Sequence, residues 1–97
     1  MFDVGLSKNK QALLDYLGFG YRPRVIDFEE CIYRDFGEYD VEISGGHRKG
    51  DRVIIYLWRK KDYLKIVERV DIPKGDFEQV EFELFKLIIK YKLVKFI

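Results

Sequence analysis

The chain has 97 residues and a mass of 11.7 kDa, which leaves room for one hydrophobic core. Hydrophobic residues make up 47% and aromatics 16%, a globular composition, and 18 Lys+Arg against 17 Asp+Glu exclude both a bulk polycation for nucleic acid and a polyanionic mimic of it. One Cys and one His exclude a disulfide scaffold and an intrachain zinc cluster built from those residue types.

The opening MFDVGLSKNK has no basic run followed by an apolar stretch, so no signal peptide is expected. No apolar run approaches the ~20 residues of a membrane helix. A single unpaired Cys suits a reducing compartment. The expected location is the cytoplasm, or the host cytoplasm for a virus-encoded protein.

Taken in chain order, Ser7 to Leu17 predicts a helix. Ser7 is placed as an N-cap, Ala12, Leu13, Leu14 and Leu17 fall at helical spacing, and Gly18 and Gly20 end the run. Pro23 falls in the connection. Residues 25–36 read two ways. Val25, Phe28, Ile32 and Phe36 form one helical stripe. A strand through Ile26, Phe28 and Ile32 is interrupted by Glu30 and Arg34. The helix is the favoured reading, with Gly37 closing it.

Three strands follow. Over 38–44, Tyr39, Val41 and Ile43 alternate with Asp40, Glu42 and Ser44, which predicts one buried and one wet face. Residues 52–59, RVIIYLWR, are β-branched and aromatic on both faces, the pattern of a central strand. Residues 63–72 place Leu64, Ile66, Val70 and Ile72 on one side and Tyr63, Lys65, Val67 and Arg69 on the other. The polar link 60–62 suits a hairpin. A last helix spans about 76 to about 92, with Asp76 as cap, acids in its early turns and lysines in its late ones.

The fold class is therefore α+β: one domain over 1–97, with an antiparallel three-stranded sheet and helices on one face. The order is α-α-β-β-β-α, or α-β-β-β-β-α with a fourth strand if 25–36 is extended.

No constellation of catalytic residues emerges. His47 lies in the loop Gly45-Gly46-His47-Arg48-Lys49-Gly50 without a triad partner in recognisable order and reads as an exposed turn residue. Cys31 stands among Asp27, Glu29 and Glu30, which would raise a thiol pKa, and reads as a small buried residue. Asp40 and Glu42 share a strand face and could meet a hard cation, but they read as a solvated polar face. The 45–50 loop runs into a strand and lacks the Gly-Lys-Ser/Thr ending of a phosphate loop. No cofactor and no metal are expected, and the protein is not expected to be an enzyme.

Charge is locally polarised. Seven acids and one base lie between Asp27 and Glu42, and seven bases and two acids between His47 and Lys65. Arg48, Lys49 and Arg52, with His47, mark one end of the 52–59 strand, and Arg59, Lys60 and Lys61 mark the other. The two groups are separated by roughly 25 Å of strand.

The α-β-β-β-α order, a His in the first strand-to-strand loop and the basic turns resemble a double-stranded RNA-binding domain. That resemblance implies minor-groove contact from the loop and phosphate contact from a Lys-rich start of the last helix. The helix here opens Lys74-Gly75-Asp76-Phe77-Glu78, acidic where that family is basic. The order is also similar to that of some small phage-encoded inhibitors of bacterial defence nucleases.

The last helix carries two apolar stripes. Phe77, Val80, Leu84, Leu87, Ile88 and Tyr91 make the first, and Phe82, Phe85, Ile89, Leu93 and Phe96 make the second. One stripe suffices to pack on a sheet, so the second is a candidate interface. The expectation is a non-catalytic module that docks on a protein partner, most concretely a small inhibitor or adaptor of phage or mobile-element type. The alternative is nucleic-acid binding through the 45–52 loop and the 59–61 turn. A homodimer through the second stripe is a further expectation, and no membrane partner is expected.

Overall fold

The computed structural model describes residues 6–62 and 65–93. Helix α1 (Lys8–Leu17) is followed by five strands, β1 (Arg22–Ile26), β2 (Glu29–Asp35), β3 (Tyr39–Gly45), β4 (Val53–Arg59) and β5 (Lys65–Ile72), and by helix α2 (Phe77–Tyr91). The strands form one antiparallel meander in the order β1-β2-β3-β4-β5, so the class is α+β as the patterning predicts.

The helix favoured over 25–36 is not there. The segment belongs to two paired strands, with Val25 opposite Glu30 and Ile26 opposite Glu29, joined by Asp27 and Phe28. Both turn residues have positive φ, 50° and 66°, the requirement of the tight hairpin turn that matches strand twist. Apparent helical periodicity arose because apolar residues from two strands and a turn were read as one element. Gly37 accordingly sits in the β2–β3 turn, where its N–H donates to the Asp35 carboxylate at 2.7 Å. The observed order, α-β-β-β-β-β-α, has two strands more than the favoured order and one more than its alternative, and departs from the α-β-β-β-α order behind the RNA-binding resemblance. The added hairpin also makes β3 the middle strand, with β4 between it and β5.

The core lies between one sheet face and both helices. Leu13 of α1 and Val80, Leu84 and Leu87 of α2 pack with Ile32, Val41, Ile43, Ile55, Leu57 and Ile72. Each such burial contributes about 1.5–3 kcal/mol relative to exposure. Ser7 caps α1 by accepting from the Lys10 N–H, and Asp76 caps α2 by accepting from the Glu78 N–H. At the far end of α2, Lys92 adopts the left-handed conformation and the Leu93 N–H reaches back to the Ile88 carbonyl at 3.0 Å. This closure folds Leu93 into the core.

In β5 the register slips between Leu57 opposite Glu68 and Trp58 opposite Ile66, leaving Val67 without an opposite number. The bulge corrects the expected alternation. Val67 packs against the core, whereas Ile66 leaves it and stands beside Trp58 on the other face. Tyr63 and Leu64, expected in this strand, lie outside the described residues.

Candidate functional site

Neither helix covers the second face of the sheet. Register places Arg22 and Arg24 of β1, Cys31 and Tyr33 of β2, Asp40, Glu42 and Ser44 of β3, and Tyr56 and Trp58 of β4 on it. The expected solvated face of β3 is corrected here. Asp40, Glu42 and Ser44 are all buried. Large neighbours on the flanking strands shade them: Tyr33 and Tyr56 both lie opposite Glu42, and Trp58 lies opposite Asp40. Trp58 is half-buried by the sheet, as the strand reading requires.

Asp40 is well satisfied. The Tyr33 hydroxyl donates to it at 2.7 Å, and the Lys60 ammonium lies 3.2 Å from it and 2.6 Å from Asp35. Burial, then the hydrogen bond to Asp40, push the Tyr33 phenol above its usual range. Glu42 has no hydrogen bond or ion pair among the described residues. Burial, followed by the charges of Asp27 and Glu29, raises its pKa. Next to Glu42 is a cleft of about 250 Å³ lined by Arg24, Asp27, Tyr33, Asp40 and Trp58 as well as Glu42 itself.

At the end of the sheet Glu29 collects three donors on one oxygen. Gly45 N–H lies at 2.7 Å, the buried Lys10 ammonium at 3.2 Å and His47 Nε2 at 3.3 Å. Burial pushes the Glu29 carboxyl up, but these donors outweigh it and hold the pKa below the usual range. His47 thus has an acidic partner eighteen positions away in sequence, which local inspection of its loop could not reveal. No nucleophile completes a triad: His47 hydrogen-bonds only to Glu29 among the described residues. Cys31 is buried, and burial, then Glu29, push its thiol up to about 12, far from thiolate chemistry. No cluster of three or more His, Cys, Asp or Glu among the described residues is arranged to hold a metal ion.

The basic residues remain in two groups. Arg52 pairs with Asp71 at 3.2 Å and Lys60 with the acids named above. The Arg59 guanidinium lies 6.0 Å from the Tyr39 ring. Arg48, Lys49 and Lys61 make no ion pair among the described residues and are exposed. The seven residues of β4 separate the two groups by ~23 Å.

The second stripe of α2 divides. Phe82, Phe85 and Ile89 are 59, 59 and 60% exposed. Leu93 is buried, for the capping reason given above, and leaves the candidate interface. Phe96 lies outside the described residues. Two clefts adjoin the exposed row on the side facing the end of α1, one of about 650 Å³ with Tyr16, Glu78 and Glu81, the other of about 170 Å³ with Leu17, Tyr21 and Arg34.

No family model, curated protein or solved structure matches the chain. The surfaces therefore have to be read from their own chemistry. No helix among the described residues is long and apolar enough to cross a membrane.

Proposed function

We propose that the protein is a non-catalytic docking module that binds another protein through the outer face of α2. The observation that carries this reading is the exposed row Phe82, Phe85 and Ile89 on a helix whose opposite face is already buried. The spacing of three and then four residues is that of a helix–helix seam. Acids, Glu78 and Glu81, flank its first half and bases, Lys86 and Lys90, its second, the bases being paired within the chain with Glu83 at 3.2 Å and Glu68 at 3.1 Å. An antiparallel helix with the same charge order is complementary to it, so a second copy of this chain and a helix of a foreign protein are both suitable occupants. Burying ~500 Å² of apolar surface per chain gives a gross gain of roughly 12 kcal/mol, against association costs of about 4–15 kcal/mol. The most concrete version is a small inhibitor or adaptor of phage or mobile-element type.

The test pairs sedimentation of the purified protein with crosslinked capture from the source cell, using wild type and Phe85→Glu/Ile89→Lys. Self-association or a captured protein that the double variant loses supports the reading. A monomer whose captured proteins are unchanged by the substitutions overturns it.

Arg48, Lys49 and Lys61 carry the second reading, nucleic-acid binding. Electrostatic binding is strongest at low salt. A wild-type mobility shift there, lost in Arg48→Glu/Lys49→Glu, supports it, and no shift overturns it.

A further inference from the structure

The uncovered sheet face holds a feature that α2 docking does not use. Glu42 sits on the middle strand, 8% exposed, beside a cleft, with its carboxylate unpaired among the described residues. Its carboxylate oxygens are not sealed off but open on the cleft, while most of the side chain is buried, a costly setting for a charge with no partner in the protein.

The surroundings supply two more elements. The first is charge. Asp40 is matched by Lys60, but Asp27, at the hairpin tip, makes no ion pair among the described residues. Arg24 is the one base lining the cleft, and its guanidinium lies 4.5 Å from the Tyr33 ring centroid, with no carboxylate in ion-pair contact. The lining thus holds three carboxylates against one arginine, with Lys60 shared between Asp40 and Asp35, so the cleft is acidic. The second element is aromatic: Tyr33 and Trp58 both line the cleft. Aromatic faces attract cations, most strongly where water is displaced.

We infer that this cleft binds one organic cation, an ammonium or guanidinium group, with Glu42 as its counter-charge and Trp58 as its aromatic wall. The Tyr33 ring is 4% exposed and already carries the Arg24 and Arg22 guanidinium groups, 4.5 and 5.3 Å from its centroid, so Trp58 supplies the aromatic face left to a ligand. A volume of about 250 Å³ is below that of a site for a drug-sized ligand and suits one charged head group. A free small amine or guanidine and the basic side chain of a peptide share this chemistry.

Trp58 is the only tryptophan, so its emission reports on the cleft directly. The experiment titrates wild type with N-acetyl-arginine amide, with its neutral isostere N-acetyl-citrulline amide, and with an uncharged-flank tripeptide containing one arginine. The expected result is a saturable change in Trp58 emission with an arginine probe and none with citrulline. In Glu42→Gln, affinity for that probe should fall roughly tenfold or more, the scale of one charge-assisted contact. Response to the free amide identifies a small cation as sufficient, and response to the tripeptide alone identifies a peptide side chain. Equal responses to arginine and citrulline overturn the inference, as does unchanged arginine affinity in folded Glu42→Gln. Should that variant fail to fold, wild type still decides: the Glu42 side-chain carbon, followed by NMR, must titrate at lower pH with saturating arginine amide present than without it. No such displacement also overturns the inference.

Discussion

The ammonium of Lys10, wholly buried under the sheet, lies 3.2 Å from the Glu29 carboxylate. It also donates to the Glu30 carbonyl, so α1 is tied to the start of β2 by charge as well as by Leu13. Glu29 is about one-third exposed at its side chain, and this solvent access lowers the cost of bringing the pair together.

Lys10→Met keeps the apolar stem but strips Glu29 and the Glu30 carbonyl of a donor. The expected loss is about 3 kcal/mol, the low end for breaking a buried pair because Glu29 keeps Gly45 and water. A urea-denaturation cycle with Lys10→Met, Glu29→Gln and the double variant measures the coupling. Additive losses would show that the two groups do not stabilise each other. The pH dependence has a definite sign. The folded pKa of Glu29 is depressed, so its contribution is present above the unfolded carboxyl pKa and is lost as pH falls through the folded one. The stability gap between wild type and Glu29→Gln should therefore close on acidification.

Gly75 joins β5 to α2 with φ +60°, and a Cβ there would meet the Asp51 carbonyl oxygen at 2.2 Å. That oxygen is backbone of the β3–β4 loop and has no flexible end to move aside. Gly75→Ala should cost about 2 kcal/mol or more through left-handed strain together with the clash. Its Tm should drop accordingly. An unchanged Tm would mean that the α2 start does not lie against this loop.

Phe28 has the opposite character. It occupies a left-handed position, φ 66°, yet its side chain is fully exposed. Nothing among the described residues repays its strained backbone. Phe28→Gly should stabilise the fold by about 1 kcal/mol by removing the Cβ penalty, read as a higher denaturation midpoint. A lower midpoint would mean that the ring makes stabilising contacts.

The same residue explains where sequence reading stopped. Two-residue hairpin turns announce themselves through Asn or Gly, and Asp27-Phe28 carries only half of that signal. Without it, Val25, Phe28, Ile32 and Phe36 merge into a false helical stripe. Strands β3 and β4 were legible because their alternation is unbroken, and α1 and α2 because their caps and periodicity agree. Ile66 was misplaced since a bulge reverses facing without changing composition. Exposure of Phe82, Phe85 and Ile89 was legible as a surplus stripe. The Glu42 cleft was not, because burial of β3's polar side depends on Tyr33, Tyr56 and Trp58 from neighbouring strands.

Glu42 also predicts how stability responds to pH. Its folded pKa is raised, chiefly by burial and then by Asp27 and Glu29. Between the ordinary carboxyl pKa and that raised value the folded chain binds more protons than the unfolded chain. Stability therefore falls as pH rises through this window. Glu42→Gln keeps the shape and removes the charge, so it should be more stable than wild type at neutral pH. The advantage should shrink on acidification, as Glu42 becomes neutral in the folded and the unfolded chain alike. Thermal denaturation of both proteins across that range checks the sign. A Glu42→Gln variant less stable than wild type at neutral pH would mean that the carboxylate is already compensated within the fold, and the cleft would then have no uncompensated charge to offer a cation.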